Sequence, residues 1–202
     1  MGKGRLEAFS DGVIAIILTI MVLELRAPES GELAALRPVL PHFLAYVLSF
    51  LYVGIYWNNH HHMLQAVERV NGRILWANLQ LLFFLSLVPA VTAWLGEHHH
   101  EPWPVALYGA VLLGAGLCYF VLARELVRHH GPESALARAL GSDVKGRISL
   151  VGYAGALVAA FWLPQLSLAA YLAIAVLWLV PDRRIERTLE GGREQRRGSE
   201  LG

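Results

Sequence analysis

Arg5-Leu6-Glu7-Ala8-Phe9-Ser10-Asp11-Gly12 runs without a break into Val13-Ile14-Ala15-Ile16-Ile17-Leu18-Thr19-Ile20-Met21-Val22-Leu23, and the run closes on Glu24. A strand of that length is disfavoured. A helix from Leu6 to Leu25 is ~30 Å long at ~1.5 Å per residue, enough to cross a bilayer core. Its charge-free part is only Gly12 to Leu23, framed by Asp11 and Glu24. Carboxylates this close to a membrane core usually face a bundle interior or a watery cavity, so the segment reads as an inner helix.

The rest of the chain agrees. It is 55% hydrophobic and 16% charged, and its apolar residues come in blocks instead of stripes, the pattern of a multi-span membrane protein. The fold expected is an all-α membrane protein with six transmembrane helices, at about 9–25, 41–61, 74–95, 102–126, 148–163 and 166–180. The last two form a hairpin turning at Pro164 and Gln165. Residues 1–181 make up this membrane domain, and 182–202 form a basic, partly disordered cytoplasmic tail.

Charge placement supports the six-span count. Cytoplasmic segments carry an excess of Lys and Arg. With six spans, 15 of the 17 basic residues fall on one side, and only Arg26 and Arg37 lie on the other. Both termini are therefore expected in the cytoplasm. A signal peptide is the rival reading of the N-terminus, and Asp11, Glu24 and five further spans argue against cleavage. The total charge of +1 hides an Arg-rich tail, which suits topology and attraction to anionic lipid. No aromatics interleave those arginines, so nucleic acid is not an expected partner. The one cysteine, Cys118, lies within the fourth span and has no partner for an intrachain disulfide.

The order R-x-x-x-F-S-D-G at Arg5, Phe9, Ser10, Asp11 and Gly12 resembles the prokaryotic members of the transmembrane protein 175 family. These are cation channels without the usual potassium-channel filter. The likeness continues through Gly54 to His61, Arg69-Val70-Asn71, Leu75 to Leu79 and Pro89 to Glu97. It implies a six-span subunit that assembles as a homotetramer, with the first helix lining a central pore. A single F-S-D motif in the chain leaves four-fold closure to oligomerisation.

The first helix can be rotated independently at about 100° per residue. With Val13 at zero, Gly12 falls at about 260°, Ile16 at about 300°, Thr19 at about 240°, Ile20 at about 340° and Leu23 at about 280°. They share one face. Ile16, Thr19 and Leu23 are also the positions that match the family's pore-lining residues. Asp11 falls at about 160° and Glu24 at about 20°, so neither carboxylate is assigned to the ion path. Val22, at about 180°, is expected to meet neighbouring helices.

Ser10 and Asp11 have two compatible readings. Both residue types cap helix N-termini. They also suit a polar lock in which Asp11 pairs with Arg5, or with Trp57, Asn59 or His60 on neighbouring helices, because a buried carboxylate needs such partners.

Other motifs weigh less. The histidine runs at 60–62, 98–100 and 129–130 cannot each converge on one ion, since adjacent helical residues diverge by about 100°. No resident metal or cofactor is expected, only a monovalent cation, potassium, in transit. Val151-Gly152-Tyr153 shares three letters with a potassium-filter core but lacks its flanking Thr and final Gly. Gly152, Ala156 and Ala160, like Ala106, Ala110 and Gly114, recur at four-residue intervals and suit close helix packing. No enzyme signature is present.

The function expected is a modestly potassium-selective, leak-like cation channel in a prokaryotic plasma membrane, its partners being identical subunits and the bilayer. Conduction would pass a hydrophobic constriction of Ile16 and Leu23 with Thr19 hydroxyls between them. The rivals are a secondary ion transporter, which commonly uses interrupted helices and inverted repeats, and a membrane scaffold without transport.

Overall fold

Three kinds of residue punctuate this chain into helices. Asn71, Ser134 and Asp143 are N-caps whose side chains accept the backbone N–H of Ile74 at 3.0 Å, Ala137 at 3.2 Å and Gly146 at 3.2 Å. That satisfies donors a helix start otherwise leaves unpaired. Prolines stand in the first turns of the helices that begin at Leu40 and Pro102, where a missing N–H costs nothing. Gly131, with φ of 89°, stops the longest helix in a conformation that favours glycine.

The computed structural model describes residues 2–25, 27–28, 30–141 and 143–179, the side chain of Ala139 excepted. In chain order the elements are α1 (Lys3–Leu23), a short 3-10 turn (Leu33–Leu36), α2 (Leu40–Gln65), α3 (Gly72–Ser86), α4 (Val88–Glu97), α5 (Pro102–His130), α6 (Ala135–Leu140), α7 (Val144–Ala159) and α8 (Pro164–Leu179). The fold is all-helical among the described residues. α1, α2, the α3–α4 pair and α5 are each long and apolar enough to cross a membrane. α7 and α8 have 16 residues each, ~24 Å of helix.

Several sequence expectations need correction. The first helix begins at Lys3, ahead of the expected Leu6, so Ser10 and Asp11 sit well inside it and cannot be N-caps. The expected third span is long and apolar enough to cross as one segment, Gly72–Glu97, but its helix is interrupted at Leu87, whose N–H reaches back only to the Phe84 carbonyl, at 3.2 Å. Pro89 explains the break: it has no N–H and its ring clashes with the carbonyl four residues earlier. The final hairpin turns before Pro164, which opens α8 as its first residue instead of forming the turn. The expected tail, 182–202, lies outside the described residues.

α5 is the hub, packed against α3, α4, α7 and α8, while α1 rests on α2, α3 and α4. Two glycines on α5 let neighbours in. A Cβ on Gly114 would overlap the Phe84 ring of α3, and one on Gly109 would overlap the Tyr171 hydroxyl of α8. Ala156 and Ala160 are buried too, so the small-residue spacing read from the sequence marks real contact faces. Val151–Tyr153 lies inside α7, as helix and not as a filter loop.

The buried hydroxyls of Ser49, Thr92, Tyr108 and Tyr52 are paired in this core. Thr92 donates to the Val88 carbonyl at 2.6 Å, which makes Ser49 the donor to Thr92, at 2.7 Å, and the acceptor from Tyr108, at 3.0 Å. Tyr52 donates to the Tyr171 carbonyl at 2.6 Å, joining α2 to α8. The Gly114 contact yields a test. Gly114→Val is expected to lower the thermal unfolding midpoint in detergent, by overpacking worth ~1–3 kcal/mol. Adding Phe84→Leu should restore part of the loss, and no recovery would mean that the α3–α5 approach is not set by that ring.

Candidate functional site

α1 buries one narrow stripe, flanked by the half-buried Val13 and Leu18, and leaves a broad arc of its circumference uncovered. Leu6, Ser10, Ile14, Ile17 and Met21 are buried, at helical spacings of three and four. Gly12, Ile16, Thr19, Ile20 and Leu23 are all exposed, Ile16 at 59% and Leu23 at 81%. These are the five residues assigned from sequence to one face. A Cβ at Gly12 would meet nothing within 4 Å, so no other helix of the chain closes over it. The Thr19 hydroxyl donates to the Ile16 carbonyl at 2.8 Å. With its proton committed there, the oxygen lone pairs are what it offers outward.

The uncovered arc is wider than that face. Asp11, Ala15 and Val22, at about 160° to 200° of rotation, are exposed as well. Val22 is 46% exposed, so the neighbouring helices it is expected to meet are not those of its own chain. The stripe that packs is centred about 120° away from it.

A chain of hydrogen bonds holds the buried stripe. Ser10 donates to the Leu6 carbonyl at 2.8 Å, and the Asn78 amide of α3 donates to the Ser10 oxygen at 3.0 Å. His60 Nε2 of α2 lies 2.7 Å from Asn78 Oδ1. Since the Asn78 nitrogen already faces Ser10, its oxygen is the acceptor, and the network assigns the His60 proton to Nε2. All three side chains are buried, so α1, α2 and α3 are tied at one point by groups that have no access to water.

The sequence-derived partners are thus partly rearranged. His60 joins Ser10 through Asn78 and does not bond Asp11. Asp11 Oδ1 instead accepts from the Trp57 indole N–H at 3.0 Å, and Trp57 stacks on His61. Asn59 donates to its own helix, to the Ile55 carbonyl at 2.8 Å. Arg5 forms no ion pair with Asp11, because a six-residue separation puts the two about 120° apart on the helix. Arg5 and Phe9 are both exposed. Asn78 was missed as a site residue although it links the other two; an amide inside an otherwise apolar span was the signal.

The histidine runs are divided among unrelated tasks. His98 contacts Glu101 at 2.9 Å, His129 accepts from the Asn71 amide at 3.1 Å and His130 donates to the Leu126 carbonyl at 2.9 Å. Desolvation pushes the His99 imidazole pKa down, and the neighbouring His100 adds to the effect.

The network makes a quantitative expectation. Asn78→Leu leaves a buried His60 donor without an acceptor, a cost of ~1–3 kcal/mol. Thermal unfolding in detergent should show this loss, and His60→Leu added to Asn78→Leu should recover part of it, because an apolar pair leaves nothing unpaired. Equal stability of wild type and Asn78→Leu would remove the network from the account.

Comparisons with known proteins identify the family. The family model described as endosomal/lysosomal potassium channel TMEM175 matches residues 5–89. A potassium channel of Chryseobacterium sp. (strain P1-3) is 52% identical over 190 residues, covering 94% of this chain and 99% of the relative. A potassium channel of Streptomyces collinus is 33% identical over 187 residues, covering 87% and 91%. The crystal structure of a lysosomal potassium-selective channel TMEM175 homolog from Chamaesiphon minutus superposes with a TM-score of 0.77 at 28% identity, covering 89% of this chain and 97% of that one. With near full-length likeness to these proteins in sequence and in fold, the chain belongs to the TMEM175 family.

Proposed function

We propose that four copies of this chain assemble around their α1 helices as a potassium channel, and that Gly12, Ile16, Thr19, Ile20 and Leu23 line the path. The observation that carries this reading is the uncovered apolar face of α1, on a helix whose opposite stripe is locked by buried hydrogen bonds. A membrane helix that spends its polar contacts on fixing its rotation, and then leaves Ile16 and Leu23 open, is built to present them to something outside the subunit. Four-fold closure turns the face near 280° inward and leaves Asp11, Ala15 and Val22 toward the adjacent subunit.

The ion choice follows from what the face offers. Rings of Ile16 and Leu23 replace none of an ion's hydration, which favours the cation that dehydrates more readily, potassium, by a modest margin. Thr19 oxygens, their protons turned to the Ile16 carbonyl, add acceptors between those rings. The names of the bacterial relatives support potassium as the permeant ion, and those relatives are channels, not enzymes.

In this reading α7 and α8 complete six crossings per subunit, both termini face the cytoplasm of a prokaryotic plasma membrane, residues 1–181 are the channel domain and 182–202 a basic tail. A transporter would use an interrupted helix to hold its ion. The break at Leu87 is instead followed by Thr92, whose hydroxyl is committed to Val88 and Ser49 inside the core.

Potassium and sodium flux into liposomes tests the proposal, on protein whose detergent-corrected mass is that of four chains. Ile16→Asn should raise cation flux and weaken the preference for potassium, since a polar ring stays wetted. Thr19→Val should lower the preference without changing assembly. A stable monomer, or unchanged flux and preference in both variants, would overturn the reading.

A further inference from the structure

At the end of the bundle that carries Arg69, Arg73, Arg124 and Arg128, a groove of about 820 Å³ opens between the start of α3 and the end of α5. Its walls are graded. From α3, Arg73, Trp76, Gln80 and, further along, Phe83 are all exposed and recur at helical spacings, so they form one stripe. From α5, Arg128 and Val121 line the opposite wall, and the exposed Leu117, one helical turn beyond Val121, continues their stripe past the groove. Both begin with a guanidinium and end in apolar side chains: Trp76 is 69% exposed and Phe83 59%.

The charge at the wide end is unbalanced. Glu125 lies 3.7 Å from Arg128, but Arg73 has no acidic partner among the described residues. The groove walls therefore hold two guanidinium groups against one carboxylate. His129, held by Asn71 at 3.1 Å, closes the upper rim without adding an acid. An indole at the boundary between the charged and the apolar parts is the usual membrane-interface anchor.

We propose that this groove binds an anionic phospholipid, with the phosphodiester between Arg73 and Arg128 and an acyl chain running past Trp76 and Val121 toward Phe83 and Leu117. A soluble anion matches only the charged end, and a zwitterionic lipid brings its own cation to the same place as the arginines. Basic pockets between membrane helices on the cytoplasmic side suit anionic headgroups, and the volume is within the range of small-ligand sites. The inference rests on the membrane placement of α3 and α5 and is independent of conduction.

Brominated phosphatidylglycerol and brominated phosphatidylcholine, each diluted into dioleoyl-phosphatidylcholine vesicles holding the full-length protein, provide the test. The fluorescence difference between wild type and Trp76→Phe isolates Trp76. The phosphatidylglycerol should quench that signal at a much lower mole fraction than the phosphatidylcholine. The preference should fall roughly fivefold in Arg73→Gln and roughly thirtyfold in Arg73→Gln/Arg128→Gln, survive largely in Arg73→Lys, and weaken in high salt. Equal quenching by the two lipids in the wild type would overturn the proposal without any variant. Absence of quenching by both would also overturn it and would mean that a second copy of the chain covers the groove. A preference unchanged in the double variant would place the lipid elsewhere.

Discussion

The hydrogen-bond chain Ser10–Asn78–His60 is the constraint on which the rest of this molecule depends. Apolar side chains alone do not fix the rotation of a membrane helix, because lipid is as good a partner for isoleucine as another helix is. A polar side chain without water has no such freedom: its partner must be in one place. Ser10 finds Asn78 at 3.0 Å and Asn78 finds His60 at 2.7 Å. Those two distances set which azimuth of α1 is packed and, by exclusion, which is left open.

From that anchoring point the architecture builds outward. α3 carries Asn78 and is itself positioned by the close approach of Phe84 to Gly114 on α5. α5 in turn seats α8, whose Tyr171 ring occupies the space a side chain at Gly109 would take. The core is thus a relay of glycines admitting aromatic rings, from α8 through α5 to α3, and the Asn78–Ser10 bond carries it on to α1. The proposed ion path is the face of α1 that this packing leaves uncovered. A pore reached this way needs no re-entrant loop and no carbonyl filter, only copies of a helix that cannot turn.

Much of this was legible in the sequence, for physical reasons. Blocks of apolar residues and the distribution of arginines point to the membrane class, and a rotation of about 100° per residue separates Ile16, Thr19 and Leu23 from the carboxylates. What was not legible depended on tertiary partners. Ser10 and Asp11 have the chemistry of caps, and only the helical start at Lys3 shows them to be interior. Asp11 had four candidate partners, and choosing Trp57 required knowing where α2 stands. Within the chain the covered stripe of α1 runs through Ile14 and Ile17 and leaves out Val22, so the helices Val22 is expected to meet do not belong to its own chain. Asn78 stood out only as an amide inside an apolar span, and its partners appear only when α1 and α2 are both beside it.

The central claim is that the uncovered face of α1 borders the ion path and the buried stripe does not. Cysteine accessibility under flux addresses it most directly. In a background with Cys118 replaced by serine, potassium flux through Leu23→Cys protein is expected to be blocked by a charged thiol reagent, while Ile17→Cys protein is insensitive. Block of Ile17→Cys with Leu23→Cys unaffected would contradict the account.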